Sequence, residues 1–238
     1  MRGPKICGCD SSRKRSPSTR SFACALLLLF FTASFATALA QKKPTHIGAA
    51  ERLEAEQRLS DLGYWTGPID GELDPASTHA LVAFQKMEGR RRDGLLSNTE
   101  LEALRLADPP APRDNTYEHI EVDVKRQVLM VVTDTGTATR VLPISSGNEQ
   151  TYGDEGRRNR AHTPRGTFTV TRKINGWRRS RLGLLYFPSY IINGIAIHGS
   201  PSIPTYPASH GCIRIPMFAA KELSQMAPIG TVVVVYDD

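Results

Sequence analysis

The stretch Ile120-Glu121-Val122-Asp123-Val124-Lys125, followed two residues later by Val128-Leu129-Met130-Val131-Val132, decides the fold class. Apolar β-branched residues first alternate with charged ones, the period-two pattern of a strand, and then run without interruption. Working outward, Gly166-Thr167-Phe168-Thr169-Val170-Thr171 and Thr231 to Tyr236 have the same character. Ile195-Ala196-Ile197 is a short strand that leads directly into His198. Only Met217 to Met226, after Pro216, reads as a helix. These patterns predict a mostly β domain over residues 117–238, sandwich-like or open barrel-like.

Upstream the chemistry changes. Residues 107–116 (Ala-Asp-Pro-Pro-Ala-Pro-Arg-Asp-Asn-Thr) hold neither a helix nor an inner strand, and read as a Pro-rich linker between separately folded units. Residues 50–106 are helical in pattern. Leu53, Leu59 and Leu62 share one face of a first helix that stops at Gly63. Gly67-Pro68-Ile69-Asp70-Gly71 is turn chemistry, and Asp74 with Pro75 starts a second helix carrying Leu81 and Phe84. Ser97-Asn98-Thr99-Glu100 is a capping box for a third, with Leu101 and Leu104 inside. The prediction is a multi-domain chain: a small three-helix N-terminal bundle with a thin core, then the β domain.

Residues 1–40 form a leader. Six Lys/Arg (Arg2, Lys5, Arg13, Lys14, Arg15, Arg20) against one acid precede the uncharged run Phe22 to Ala40, which ends in Ala38-Leu39-Ala40. This order predicts an exported protein with a cleaved signal peptide, mature from Gln41. The alternative is an N-terminal membrane anchor over residues 22–40, since the run nearly spans a bilayer. Residues 41–49 are then a tether. The net charge of +6 belongs to this leader. The rest of the chain is close to neutral, so no nucleic-acid partner is expected.

Cys7, Cys9 and Cys24 also lie in the leader, which leaves Cys212 as the one thiol of the mature chain and excludes an internal disulfide framework there. An exported lone thiol is open to oxidation, so its surroundings matter. They are Ile197-His198-Gly199-Ser200 and Pro207-Ala208-Ser209-His210-Gly211-Cys212-Ile213-Arg214. A thiol needs a base to react near neutral pH, and imidazole is suited to that. Gly211 allows close backbone approach, so amide groups there would hold an oxyanion. The residues predict a Cys–His acyl-transfer centre. His198, His210 and Cys212 are also three metal-ligand types, but structural zinc favours closed four-ligand sets, and no metal or other cofactor is expected. His46, His79, His119 and His162 read as surface or structural residues, and Arg157, Arg158 and Arg160 as a solvated loop. Trp177, Tyr186, Phe187 and Tyr190 divide between core and cleft.

Two resemblances add to this. The run "AEQRLSDLGYWTGPIDGELDPASTHALVAFQKMEG…DGLLSNTELEAL" is similar to the peptidoglycan-binding domain of wall enzymes, which implies a glycan-binding helical module. A spacer or docking bundle of the same fold is the alternative. His-Gly followed by Ser-His-Gly-Cys-Ile-Arg, with Ser145-Ser146-Gly147 and Thr163-Pro164-Arg165-Gly166-Thr167-Phe168 upstream, resembles the L,D-transpeptidase (YkuD-type) catalytic domain. That resemblance implies Cys212 as nucleophile and His198 as proton acceptor and donor, oriented by the Gly199 carbonyl. It places the Gly211 and Cys212 amides in an oxyanion hole, with Ser209 and His210 shaping the loop and Arg214 meeting substrate. The implied activity is 3→3 cross-linking of peptidoglycan stem peptides through a Cys thioester with release of D-Ala. L,D-carboxypeptidase trimming or an inactive wall-binding protein are the alternatives. Peptidoglycan is the partner expected in every case, in the periplasm or cell wall.

Overall fold

Three helices open the part of the chain that is described, residues 47–237 of a computed structural model. The leader, its signal-peptide and anchor readings, most of the tether and His46 lie outside the described residues. α1 spans Ala49–Asp61, α2 Pro75–Met87 and α3 Asn98–Leu106. Local chemistry sets their starts. The Asp74 carboxylate accepts from the Ser77 amide at 2.8 Å with Pro75 in the first turn. The Ser97 hydroxyl accepts from the Glu100 amide at 3.2 Å. The expected capping box is only half formed there, because the Glu100 carboxylate pairs with Arg90 (2.9 Å) instead. Leu59 and Leu62 are buried as their spacing requires, but Leu53 is exposed. The fully buried Glu56 holds the turn ahead of α2, accepting from the Asp70 and Gly71 amides and the Ser77 hydroxyl at 3.1, 2.7 and 2.6 Å. A carboxylate satisfied three times tolerates that burial.

The rest is mostly β. The strands are β1 (His119–Asp123), β2 (Val128–Val132), β3 (Ala138–Pro143), β4 (Thr151–Asp154), β5 (Arg157–Arg160) and β6 (Gly166–Thr169). They continue with β7 (Arg172–Lys173), β8 (Trp177–Ser180), β9 (Gly183–Ile192), β10 (Ile195–Ser200), β11 (Ile213–Pro216) and β12 (Val232–Tyr236). α4 (Met217–Met226) stands where the sequence places a helix. One sheet runs β3-β2-β1-β12-β6 and a second β11-β10-β9-β7, with β8 also on β9 and β4–β5 as a separate hairpin. Arg157, Arg158 and Arg160 therefore sit on a strand paired with β4, not in an irregular loop. Ile120, Val122, Leu129 and Val131 of the first sheet share one apolar cluster with Ile191, Ile197 and Ile213 of the second and with Leu223 of α4.

The opposite face of the first sheet is covered too. Met130 and Val141, with Ala138, share a cluster with Leu59, Leu81, Phe84 and Leu104 of the helices. Trp65, from the helical segment, belongs to the cluster between the sheets, and its amide donates to the Val141 carbonyl at 3.0 Å. The stretch read as a free linker folds back as well. The Arg113 and Asp114 amides each donate to the buried Glu121 carboxylate at 2.9 Å, and Glu121 also takes His119 and the Tyr236 hydroxyl at 3.0 Å. Alternation of charge along β1 therefore does not mark a solvent face, since Glu121 and Asp123 are buried. All the described residues fall in one compact unit. The physical reason is the thin core of a 57-residue helical segment, which the sheet completes.

Candidate active site

β10 and β11 are parallel neighbours, with His198 opposite Arg214. The intervening loop returns the chain so that Cys212 stands immediately before β11. Its position is fixed from outside. Ser145 exchanges two backbone hydrogen bonds with Arg214, both 3.1 Å. The Ser146 carbonyl accepts from the Ala208 and Ser209 amides at 3.0 and 2.9 Å, and the Ser209 carbonyl accepts from the Asn148 amide at 3.2 Å. The Thr163 hydroxyl donates to the Gly211 carbonyl at 2.7 Å and accepts from the Gly147 amide at 2.9 Å. The Ser145-Ser146-Gly147 and Thr163 motifs are the two walls of this loop.

Two glycines are required by contact. Gly211 has φ +131°, and a Cβ there would lie 2.7 Å from the His162 carbonyl oxygen. A Cβ on Gly199 would lie 2.7 Å from the Ala220 methyl of α4.

His198 is 6% exposed. Its Nδ1 lies 3.0 Å from the Gly199 carbonyl oxygen. A carbonyl only accepts, so Nδ1 carries the hydrogen and Nε2 is the nitrogen able to take a proton. Burial brings His198 down to about 4, the Gly199 bond opposes this, and the positive charge of Arg214 adds to it. Cys212 is half-buried, with Sγ 3.8 Å from the Gly194 carbonyl. Burial pushes its thiol above the usual range, against a hydrogen bond from the Ala196 backbone and the Arg214 charge. The resting pair is thus a neutral thiol and a neutral imidazole.

Both residues, with Arg214, line one cleft of about 620 Å³. Ser209 and His210 line it also. The Gly211 amide donates to the Ser209 hydroxyl at 3.0 Å, and that hydroxyl donates to the Cys212 carbonyl at 2.5 Å. Of the two amides assigned to an oxyanion hole, Gly211's is therefore engaged within the loop. His210 is exposed and packs edge-on against Tyr152 at 4.6 Å. Among the described residues no group of three or more His, Cys, Asp or Glu is placed to hold a metal ion.

The model of the L,D-transpeptidase catalytic domain matches residues 117–235. The crystal structure of an L,D-transpeptidase from Xylanimonas cellulosilytica is 41% identical, over 78% of this chain and 93% of that one, with a TM-score of 0.72. The chain belongs to the L,D-transpeptidase family. A peptidoglycan binding domain model matches residues 48–104 of this transpeptidase. An L,D-transpeptidase structure from Stackebrandtia nassauensis is 21% identical over 79% of this chain and 91% of that one, at a TM-score of 0.47. No curated protein matches the chain.

Several residues that shape the transpeptidase cleft carry no local motif. Asp154 at the end of β4 and Arg181 between β8 and β9 meet at 3.2 Å, and Arg181 also pairs with Glu155. These contacts join two hairpins that both line the cleft. Trp177 stands half out of it at the rim, while Tyr190 is buried with the Arg172 guanidinium 3.8 Å above its ring. Hairpin pairing brings these positions together, and only Trp177 and Tyr190 were noticeable from sequence, as aromatics.

Proposed function

We propose that this transpeptidase is an exported cysteine acyl transferase that forms 3→3 cross-links between peptidoglycan stem peptides. The leader of residues 1–40 directs export. The 50–106 segment, a small three-helix bundle, holds glycan, and residues 117–238 carry the chemistry. The observation that supports this best is the cleft itself, which Cys212, Arg214 and a tautomer-fixed His198 line together.

The mechanism follows from the neutral pair. The donor is a tetrapeptide stem. His198 Nε2 takes the thiol proton as Cys212 Sγ attacks the carbonyl ahead of the terminal D-Ala, so no thiolate needs to accumulate beforehand. The Cys212 amide meets the developing oxyanion, while the Gly211 amide keeps the loop in place through Ser209. Collapse breaks the C–N bond. His198 returns the proton to the leaving D-Ala amine, and a thioester remains on Cys212. The side-chain amine of a second stem's diamino acid then attacks the thioester, forming an amide and restoring the thiol. The half-buried, cationic Arg214 holds the carboxylate or backbone of the donor.

A carbapenem tests the acylation half. Its strained lactam stands in for the donor carbonyl, and the family resemblance implies this sensitivity. Intact-mass spectrometry is expected to show one adduct per chain, on Cys212, and none on Cys212→Ala. No adduct on the wild-type protein at any pH would overturn the proposal.

A further inference from the structure

We propose that Lys86, on the helical segment, is a positioning residue for the loop that carries Cys212, acting through Gln127 and Ser146. The inference rests on Cys212 being the acylated nucleophile.

Lys86 lies on α2 and is 1% exposed. A buried amine needs partners, and its Nζ finds two outside its own segment. It donates to the Gln127 carbonyl at 3.0 Å and to the Ile144 carbonyl at 2.8 Å. The first lies in the turn between β1 and β2, the second just beyond β3. The Gln127 carbonyl also accepts from the Ile144 amide at 2.9 Å, so the amine closes a three-way junction.

Gln127 is itself unusual. It is buried, and its backbone is left-handed, with φ +65°. A residue other than glycine keeps that conformation only where its surroundings over-determine it. Its side chain is saturated. Nε2 donates to the Val124 carbonyl at 2.5 Å and the Ser146 hydroxyl at 2.7 Å, and Oε1 accepts from the Ser146 amide at 2.9 Å. Ser146 in turn holds the Ala208 and Ser209 amides, and Ser209 holds Gly211 and Cys212. Each link from Lys86 to Cys212 is therefore a hydrogen bond at a buried or part-buried position.

A second contact from the same segment reaches the same loop, where Arg92 Nη1 donates to the Thr205 carbonyl at 3.4 Å. One residue on, the Ser145 hydroxyl donates to the Tyr206 carbonyl at 2.8 Å. The helical segment thus bears on the backbone that presents the nucleophile, and is not only a tether to the wall. Lys86 touches no reacting atom. Its effect is on how often the loop presents Sγ correctly, and so on rate more than on binding.

The test measures carbapenem acylation of full-length protein, separating the limiting rate from the half-saturating concentration. Lys86→Met fills the space without the amine. Its limiting rate is expected to fall about tenfold, with the half-saturating concentration within about twofold of wild type. Gln127→Met, at the next link, removes the side-chain bonds to Val124 and Ser146 and is expected to give the same split. The double variant is expected to be no slower than the slower single one, because both cut one chain. Arg58→Ala serves as control. Arg58 ties the helical segment to itself, through the Leu104 and Ala107 carbonyls, and its loss is expected to leave acylation unchanged. An unchanged rate in Lys86→Met, effects that multiply in the double variant, or equal slowing by Arg58→Ala would each overturn the positioning role. If Lys86→Met does not fold, Lys86→Gln, which keeps one donor, takes its place; a smaller fall in the same limiting rate is then expected, and an unchanged rate overturns the role. A wild-type protein that takes no adduct overturns the nucleophile assignment and this inference with it.

Discussion

Lys86→Met also makes a stability prediction whose sign follows from burial alone. Burial brings the Lys86 amine from 10.5 down to about 7, with the positive charge of Arg92 pushing the same way. The unfolded chain keeps that proton up to about 10.5, while the folded chain releases it above about 7. Between those values the unfolded state binds more protons, so wild-type stability rises with pH across the window. Integrated from pH 7 to 9, the gain is about 2 kcal/mol. Methionine has no proton to release, and loss of the bonds to the Gln127 and Ile144 carbonyls shifts its curve by a constant. Urea unfolding at pH 7, 8 and 9, followed by tryptophan fluorescence, measures the difference. The interval stays below the titration of the buried Tyr64 and Tyr236, both pushed well above the usual tyrosine range. Wild type is expected to gain about 2 kcal/mol on the variant. Curves that stay parallel from pH 7 to 9 would refute the burial argument.

His198→Ala is expected to slow carbapenem acylation by about 100-fold at pH 7, within the range of general-base contributions, and raising the pH should partly restore it as thiolate forms unaided. In the wild type, acylation should hold down to about pH 5 and fall as the pH drops through about 4, where the imidazole is protonated. Rates against pH by intact mass check both. Gly211→Ala forces a Cβ against the His162 carbonyl at a disfavoured φ; a loss of about 2 kcal/mol in a thermal or urea melt and of most acylation is expected. Removing residues 47–106 uncovers Met130 and Val141 and takes Trp65 from the inter-sheet cluster, at a cost of about 4 kcal/mol or more. A melting temperature lowered by on the order of 10 °C is expected. An equal one would mean that the two segments fold independently.

The legibility of this chain in its sequence divides along physical lines. β1, β2, β12 and α4 announce themselves because their patterns are local: alternation, an apolar run, or a helix after proline. The α2 N-cap is local too, and Asp74 with Pro75 does what its type predicts. β9 was not legible, because Pro188 lies within its ten residues and its pairing with β7, β8 and β10 is decided by distant partners. The inward-facing acids were missed for the same reason. Glu56 and Glu121 look like solvated charges until the amides of the Asp70–Gly71 turn and of Arg113 and Asp114 are folded onto them. At the site, the sequence picked out Cys212, His198, Ser209 and Arg214 from one motif, and the fold places them along one cleft. The internal partner of the Gly211 amide was not legible, because it depends on how the Ser209 hydroxyl turns. Lys86 gave no signal at all, since nothing local distinguishes a lysine that will be buried against another part of the fold.

The most direct measurement incubates purified mature protein with disaccharide-tetrapeptide and identifies the products by mass spectrometry. A cross-linked dimer that has lost one D-Ala is expected, absent with Cys212→Ala and much reduced with His198→Ala. Tripeptide without dimer would replace transpeptidation by hydrolysis at the same thiol. Unchanged substrate, or dimer formed equally well by Cys212→Ala, would contradict transpeptidation through Cys212.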